Sequence, residues 1–108
     1  MIRQLTPDEV AKRIENNKNV LILEALPEKY FKQGHLPGAL NIPHDVSGED
    51  LKFVLKDKNA EIITYCANGP CMNSEILAER LIELGYKNVS DFHLGKEGWV
   101  KSGRHLER

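Results

Sequence analysis

Apolar residues along the chain fall into short blocks whose spacing switches repeatedly between a strand-like and a helix-like period. Val20-Leu21-Ile22-Leu23 is continuous, with an Asn-Lys-Asn turn before it and Pro27 after it, the pattern of a strand buried on both faces. Glu61 to Tyr65 reads the same way, and Ala39 to Ile42 and Val89 to Phe92 are shorter strands. Helical spacing fills the intervals. Thr6-Pro7-Asp8-Glu9 offers a capping hydroxyl, a proline suited to the first helical position and a carboxylate that reaches back, so a helix is predicted over 7–16. Further helices are predicted over 27–34, over 47–55 with Leu51, Val54 and Leu55 on one face, from about 73 with Ile76, Leu77, Leu81 and Leu84, and over 95–103 around Trp99. Gly85 ends the fourth of these, and Tyr86 is placed to fold back on its last turn. Strands alternating with helices predict an α/β layer structure with a mostly parallel sheet. No repeat, linker or low-complexity tract divides the chain, so residues 1–108 are expected to form a single domain.

Composition then narrows the setting. Fifteen Lys and Arg against sixteen Asp and Glu give a formal net charge of -1, which offers no electrostatic case for nucleic acid or an anionic membrane as partner. The amino terminus lacks the apolar core of a signal peptide, and no run approaches the ~20 apolar residues that span a bilayer. A cytoplasmic protein is expected. Two cysteines are too few for a disulfide scaffold, and in a reducing compartment such residues are catalytic, redox-active or simply buried.

Cys66 stands where a strand hands the chain to a helix, through the loop Cys66-Ala67-Asn68-Gly69-Pro70-Cys71-Met72-Asn73. In open parallel sheets ligands collect beyond the carboxyl ends of strands. A loop curling into a helix can turn its amides inward, and the helix adds its positive end; such a cradle favours an anion and favours thiolate over thiol. On that argument Cys66 is a nucleophile of lowered pKa, and Gly69 lets the backbone approach a ligand. The other reading of the same position is a small buried residue closing a strand.

Three stretches resemble the single-domain rhodanese family: Gly34-His35-Leu36-Pro37-Gly38-Ala39 with Asn41-Ile42-Pro43, then Tyr65-Cys66 opening the loop, then Leu84-Gly85-Tyr86 with Gly95 and Gly98-Trp99. The likeness runs from about residue 3 to residue 102. It implies a rhodanese-like fold with a five-stranded mostly parallel sheet and helices on both faces. It also implies a sulfurtransferase whose catalytic Cys66 carries a sulfane sulfur as a persulfide, with no metal or organic cofactor. The donor would be a small sulfur-donor anion such as thiosulfate, or a persulfide. The acceptor would be cyanide or a thiol, which a partner protein can bear. Ala67, Asn68, Gly69, Cys71, Met72 and Asn73 would line the substrate site.

The chain departs from that family's pattern in three places. If Ser74 matches the family's serine, the loop from Cys66 is eight residues long and contains no basic side chain. Met72 occupies the position of the phosphate-gripping arginine of phosphatases that share the fold, and a thioether supplies no charge clamp, which argues against phosphoryl transfer or arsenate reduction. Glu24-Ala25-Leu26 stands where the family has Asp-x-Arg, and Lys96, beside Glu97, is expected to be solvated and outside the site. Cys71 opens an alternative from another class, a sulfur carrier or redox module that forms a Cys66–Cys71 disulfide. Zinc needs about four ligands, and no histidine pair accompanies the two cysteines. His35, in its Gly-His-Leu-Pro-Gly turn, is expected to tie backbone groups together rather than act as a base.

Overall fold

The computed structural model describes residues 2–108. Its elements are β1 (Arg3–Gln4), α1 (Pro7–Asn16), β2 (Leu21–Glu24), α2 (Glu28–Gln33), β3 (Leu40–Asn41), α3 (Gly48–Val54), β4 (Glu61–Tyr65), α4 (Asn73–Glu83), β5 (Asn88–Phe92) and α5 (Gly95–Lys101). The strands form one sheet in the order β1-β5-β4-β2-β3, every neighbouring pair parallel. This is the five-stranded parallel sheet that the family resemblance implied. Four strands follow from apolar pattern alone. The fifth, β1, has two exposed polar residues and is marked only by its register with Ser90 and Asp91 on β5.

Helix starts are chemically explicit. Thr6 accepts the Glu9 N–H at 3.1 Å while Glu9 takes the Thr6 N–H at 2.9 Å, a reciprocal cap that satisfies two amides of the first turn of α1. Ser47 accepts the Asp50 N–H at 3.1 Å and satisfies one amide of the first turn of α3. At the other end of α4, Gly85 adopts φ +98 and Tyr86 returns its N–H to the Leu81 carbonyl at 3.1 Å, as the sequence predicts.

Because side chains alternate along a strand, β2 and β4 feed two cores. Ile22, Ile63 and Tyr65 face one cluster, with Leu5, Val10, Leu36, Phe92 and Trp99. Leu23 and Ile62 face the other, with Leu51, Leu55, Leu77, Leu81 and Tyr86. Helices α1 and α5 thus cover one face and α3 and α4 the other. Each large side chain in these clusters contributes about 1.5–3 kcal/mol by leaving water. Two residues assigned to apolar helix faces turn outward instead: Val54 at the end of α3 and Ile76 on α4, 51% and 39% exposed. The predicted Leu51, Leu55, Leu77 and Leu81 are buried, and Ala78 joins them on α4. Among the described residues no helix is long and apolar enough to cross a membrane.

The apolar run that predicts a strand ends at Leu23, yet β2 continues through Glu24, which pairs with Tyr65 and Asn41. This places a carboxylate inside the sheet, on the face that carries Tyr65.

Candidate functional site

β4 is the central strand, and Cys66 follows its last residue. The Cys66 carbonyl accepts the Lys96 N–H at 3.0 Å, and the Ala67 carbonyl accepts the Glu97 N–H at 3.0 Å, so the first turn of α5 is tied to the start of the loop. The approach is close enough that only glycine fits. Gly95 has φ +61, and a Cβ there would lie 2.2 Å from the Cys66 oxygen.

The Cys66 side chain is buried. Its sulfur lies 3.5 Å from Ser74 Oγ, at the start of α4, and its S–H points at the Cys71 carbonyl oxygen at 3.4 Å. The Cys71 N–H is directed elsewhere, to the backbone carbonyl and side-chain oxygen of Asn68, both at 3.2 Å. Here the expectation of an acidified thiol is overturned. Burial, with the neighbouring Cys71 side chain next, pushes the Cys66 thiol up from 9.0 to about 11, against the opposing influence of the Ser74 hydroxyl and N–H. A carbonyl, rather than the Cys71 amide, faces the sulfur.

The other loop residues named from sequence differ in exposure, and of these Cys71 touches the Cys66 sulfur. Ala67, Asn68, Gly69, Cys71 and Asn73 are half-buried, whereas Pro70 is exposed and Met72 is 54% exposed. Cys66 and Cys71 are both free thiols. Surface cavities of about 600 Å³, between β1 and α4 around Gln4, Glu75 and Ile82, and about 570 Å³, at the amino ends of β2 and β4 around Asn19 and Glu61, are not lined by Cys66 or its loop.

Sequence reasoning misplaced Lys96. Its side chain is 15% exposed, its ammonium donates to the Tyr30 carbonyl at 2.7 Å, and it lies 3.1 Å from Glu24 Oε2. The Glu24 side chain is fully buried; Oε1 accepts the Tyr65 hydroxyl at 2.7 Å, and Oε2 has the ion pair with no aligned hydrogen bond. Tyr65 OH in turn accepts the Leu36 N–H at 3.1 Å. Glu24 thus takes Lys96 and Tyr65 as its partners. The available signal was a carboxylate closing an apolar strand run, which demands a cation from elsewhere. His35 behaves as predicted: its ring stacks on Phe31 at 4.0 Å, Nδ1 meets the Phe31 carbonyl at 3.1 Å, and its backbone pairs with Glu107.

A family model, the rhodanese-like domain, matches residues 6–102. The chain belongs to the rhodanese-like sulfurtransferase family. One relative in that family, the thiosulfate sulfurtransferase GlpE of Actinobacillus succinogenes, is 27% identical over 104 residues, covering 96% of this chain and 89% of its own. A second, the adenylyltransferase and sulfurtransferase UBA4 of Candida albicans, is 28% identical over 89% of this chain. The chain spans only 23% of that relative's length. Among solved structures, the BH2092 protein of Bacillus halodurans superposes with a TM-score of 0.88 at 24% identity, covering 97% of this chain and 76% of the other, which shows the shared fold. In this chain the loop from Ala67 to Asn73 contains no Lys or Arg.

Proposed function

We propose that this rhodanese-like domain moves a sulfane sulfur through a persulfide on Cys66, from thiosulfate or a persulfide donor to a thiol acceptor or cyanide. The observation that carries this reading is the position of Cys66 at the carboxyl end of the central strand, with its sulfur 3.5 Å from Ser74 Oγ at the start of α4. In the first half-reaction the Cys66 sulfur attacks the outer sulfur of the donor; a new S–S bond forms, the donor's S–S bond breaks, and sulfite or a thiolate leaves. The Cys66 proton passes to the leaving group or to solvent. In the second, an acceptor thiolate attacks the outer persulfide sulfur and returns Cys66 as thiolate. Thiolate formation requires the Cys71 carbonyl to move off the sulfur, so that Ser74 and the remaining loop amides of Ala67, Asn68, Gly69, Met72 and Asn73 receive the charge. Since no cation stands in the loop, a persulfide of low charge suits the site better than the thiosulfate dianion. The exchange uses no metal or organic cofactor, and it requires a compartment that keeps the thiols reduced, such as the cytoplasm.

One observation favours a second reading. The Cys71 backbone lies against the Cys66 sulfur, so a peroxide could take two electrons from the pair, reducing itself to water and leaving a Cys66–Cys71 disulfide. Intact mass separates the two. Incubation with glutathione persulfide or thiosulfate is expected to add one sulfur to wild type and Cys71→Ser and none to Cys66→Ser. Absence of the added sulfur in wild type with both donors, together with a peroxide-induced disulfide, overturns the transferase reading.

A further inference from the structure

We propose that Lys96 is a positioning residue for the Cys66 sulfur, acting through the buried carboxylate of Glu24. This inference rests on the sulfur-transfer reading of Cys66 and adds a device that sets the pose of that residue. Cys66 is gripped on both sides by groups that end on the same carboxylate. On its amino side Tyr65, the residue before it, donates its hydroxyl to Glu24 Oε1 at 2.7 Å. On its carbonyl side the Lys96 N–H binds the Cys66 oxygen at 3.0 Å, and the Lys96 ammonium lies 3.1 Å from Glu24 Oε2. The circuit runs Cys66, Tyr65, Glu24, Lys96 and back to Cys66.

Geometry gives the circuit its force. A hydrogen bond from an exposed helix amide would leave α5 free to rock; here the side chain of the same residue is anchored on a buried charge and on the Tyr30 carbonyl at 2.7 Å. The Gly95 backbone sits against the Cys66 carbonyl with no room for a Cβ, so any movement of α5 is passed directly to the loop. The Lys96 charge is spent on Glu24 rather than on a substrate, which is why the residue acts through position. Misplacing a reacting atom by about 1 Å costs up to ~10²-fold in rate, so this coupling is large enough to measure.

The test uses the Cys71→Ser chain, in which Cys66 is the sole thiol, and adds Lys96→Met, Lys96→Arg and the double change Glu24→Gln with Lys96→Met. The double change removes both charges and keeps a partner for the Tyr65 hydroxyl, so it folds even if a lone buried Glu24 does not permit Lys96→Met to fold. Two readouts are taken on folded protein: kcat and KM for sulfur transfer from glutathione persulfide to cyanide, and the rate of Cys66 alkylation by iodoacetamide. Loss of the anchor is expected to lower kcat ~10-fold or more with KM within about twofold, while alkylation rises because the sulfur is no longer held under the loop. Lys96→Arg is expected to restore both. A fall in both rates together, no change in either, or Lys96→Arg behaving like Lys96→Met overturns the positioning role. If the Cys71→Ser chain takes no sulfur from glutathione persulfide or thiosulfate, it is the transfer reading that fails. The alkylation arm then decides on Lys96 by itself.

Discussion

Glu24 and Cys66 are ionisable groups at the carboxyl ends of adjacent strands, both fully buried, yet they are given opposite company. Glu24 receives an ammonium and a phenol hydroxyl. Cys66 receives a carbonyl oxygen and a serine hydroxyl, and its thiol is pushed up to about 11. Burial penalises charge at both places; the partner decides whether the penalty is met. At the end of β2 the protein has built a paired carboxylate into its architecture. At the end of β4 it has kept an uncharged thiol.

The comparison breaks most sharply at Lys96. Lys96→Met strands the Glu24 charge in the sheet, and loss of one partner of a buried pair costs ~3–5 kcal/mol. Urea unfolding is expected to show that drop for Lys96→Met and recovery of most of it in the double change with Glu24→Gln. Equal stability of the single and double variants would mean that Glu24 is not held as a charge. The next largest effect is expected at Gly95, where an alanine Cβ meets the Cys66 oxygen at 2.2 Å and φ is +61. Gly95→Ala is expected to cost ~2–3 kcal/mol, combining strained backbone with steric displacement of α5. A Tm within a degree of wild type would show that α5 is not locked to the loop.

The contrast between the two strand ends also marks what could be read from residues alone. Element order was legible because local chemistry announces it: Thr6 and Glu9 start α1, Gly85 stops α4, and unbroken apolar runs mark β2 and β4. The Cys66 position was legible for the same reason, as a cysteine between a strand run and a helix. Its acidity was not. A sequence counts the amides in a loop but says nothing of which way each peptide faces, and at Cys71 the carbonyl faces the sulfur. Lys96 was misread because its partner lies on β2, brought near only by the sheet, while its neighbour Glu97 suggested a solvated pair. β1 has almost no pattern: Arg3 and Gln4 are exposed and are held in register by β5.

A pH series sharpens the Cys66 half of the comparison. Alkylation of Cys66 in the wild-type chain, followed at the Cys66 peptide by mass, is expected to climb with pH until about 11, whereas an unfolded chain levels off near 9.0. Since the folded thiol holds its proton more tightly than the unfolded one, its contribution to stability is complete below the unfolded value and is lost as pH rises through about 11. A plateau in alkylation below pH 8 would show that amides, and not the Cys71 carbonyl, face the sulfur in solution.

The smallest effect is expected at Ser74, whose hydroxyl and N–H are the groups that favour the thiolate. Ser74→Ala removes the hydroxyl at 3.5 Å and leaves the Ser74 N–H as the group that favours the thiolate. A hydrogen bond to a charged group is worth about 1.5–3 kcal/mol, but the long contact to sulfur places this one at or below ~1 kcal/mol, a few-fold in rate. Alkylation at pH 8 is therefore expected to slow about threefold, with the midpoint of the pH series moving further up. An unchanged midpoint would assign the tempering of Cys66 to the Ser74 backbone N–H alone. In that case the strand end at β4 would meet its charge with main chain only, and the difference from the side-chain partners of Glu24 would be greater still.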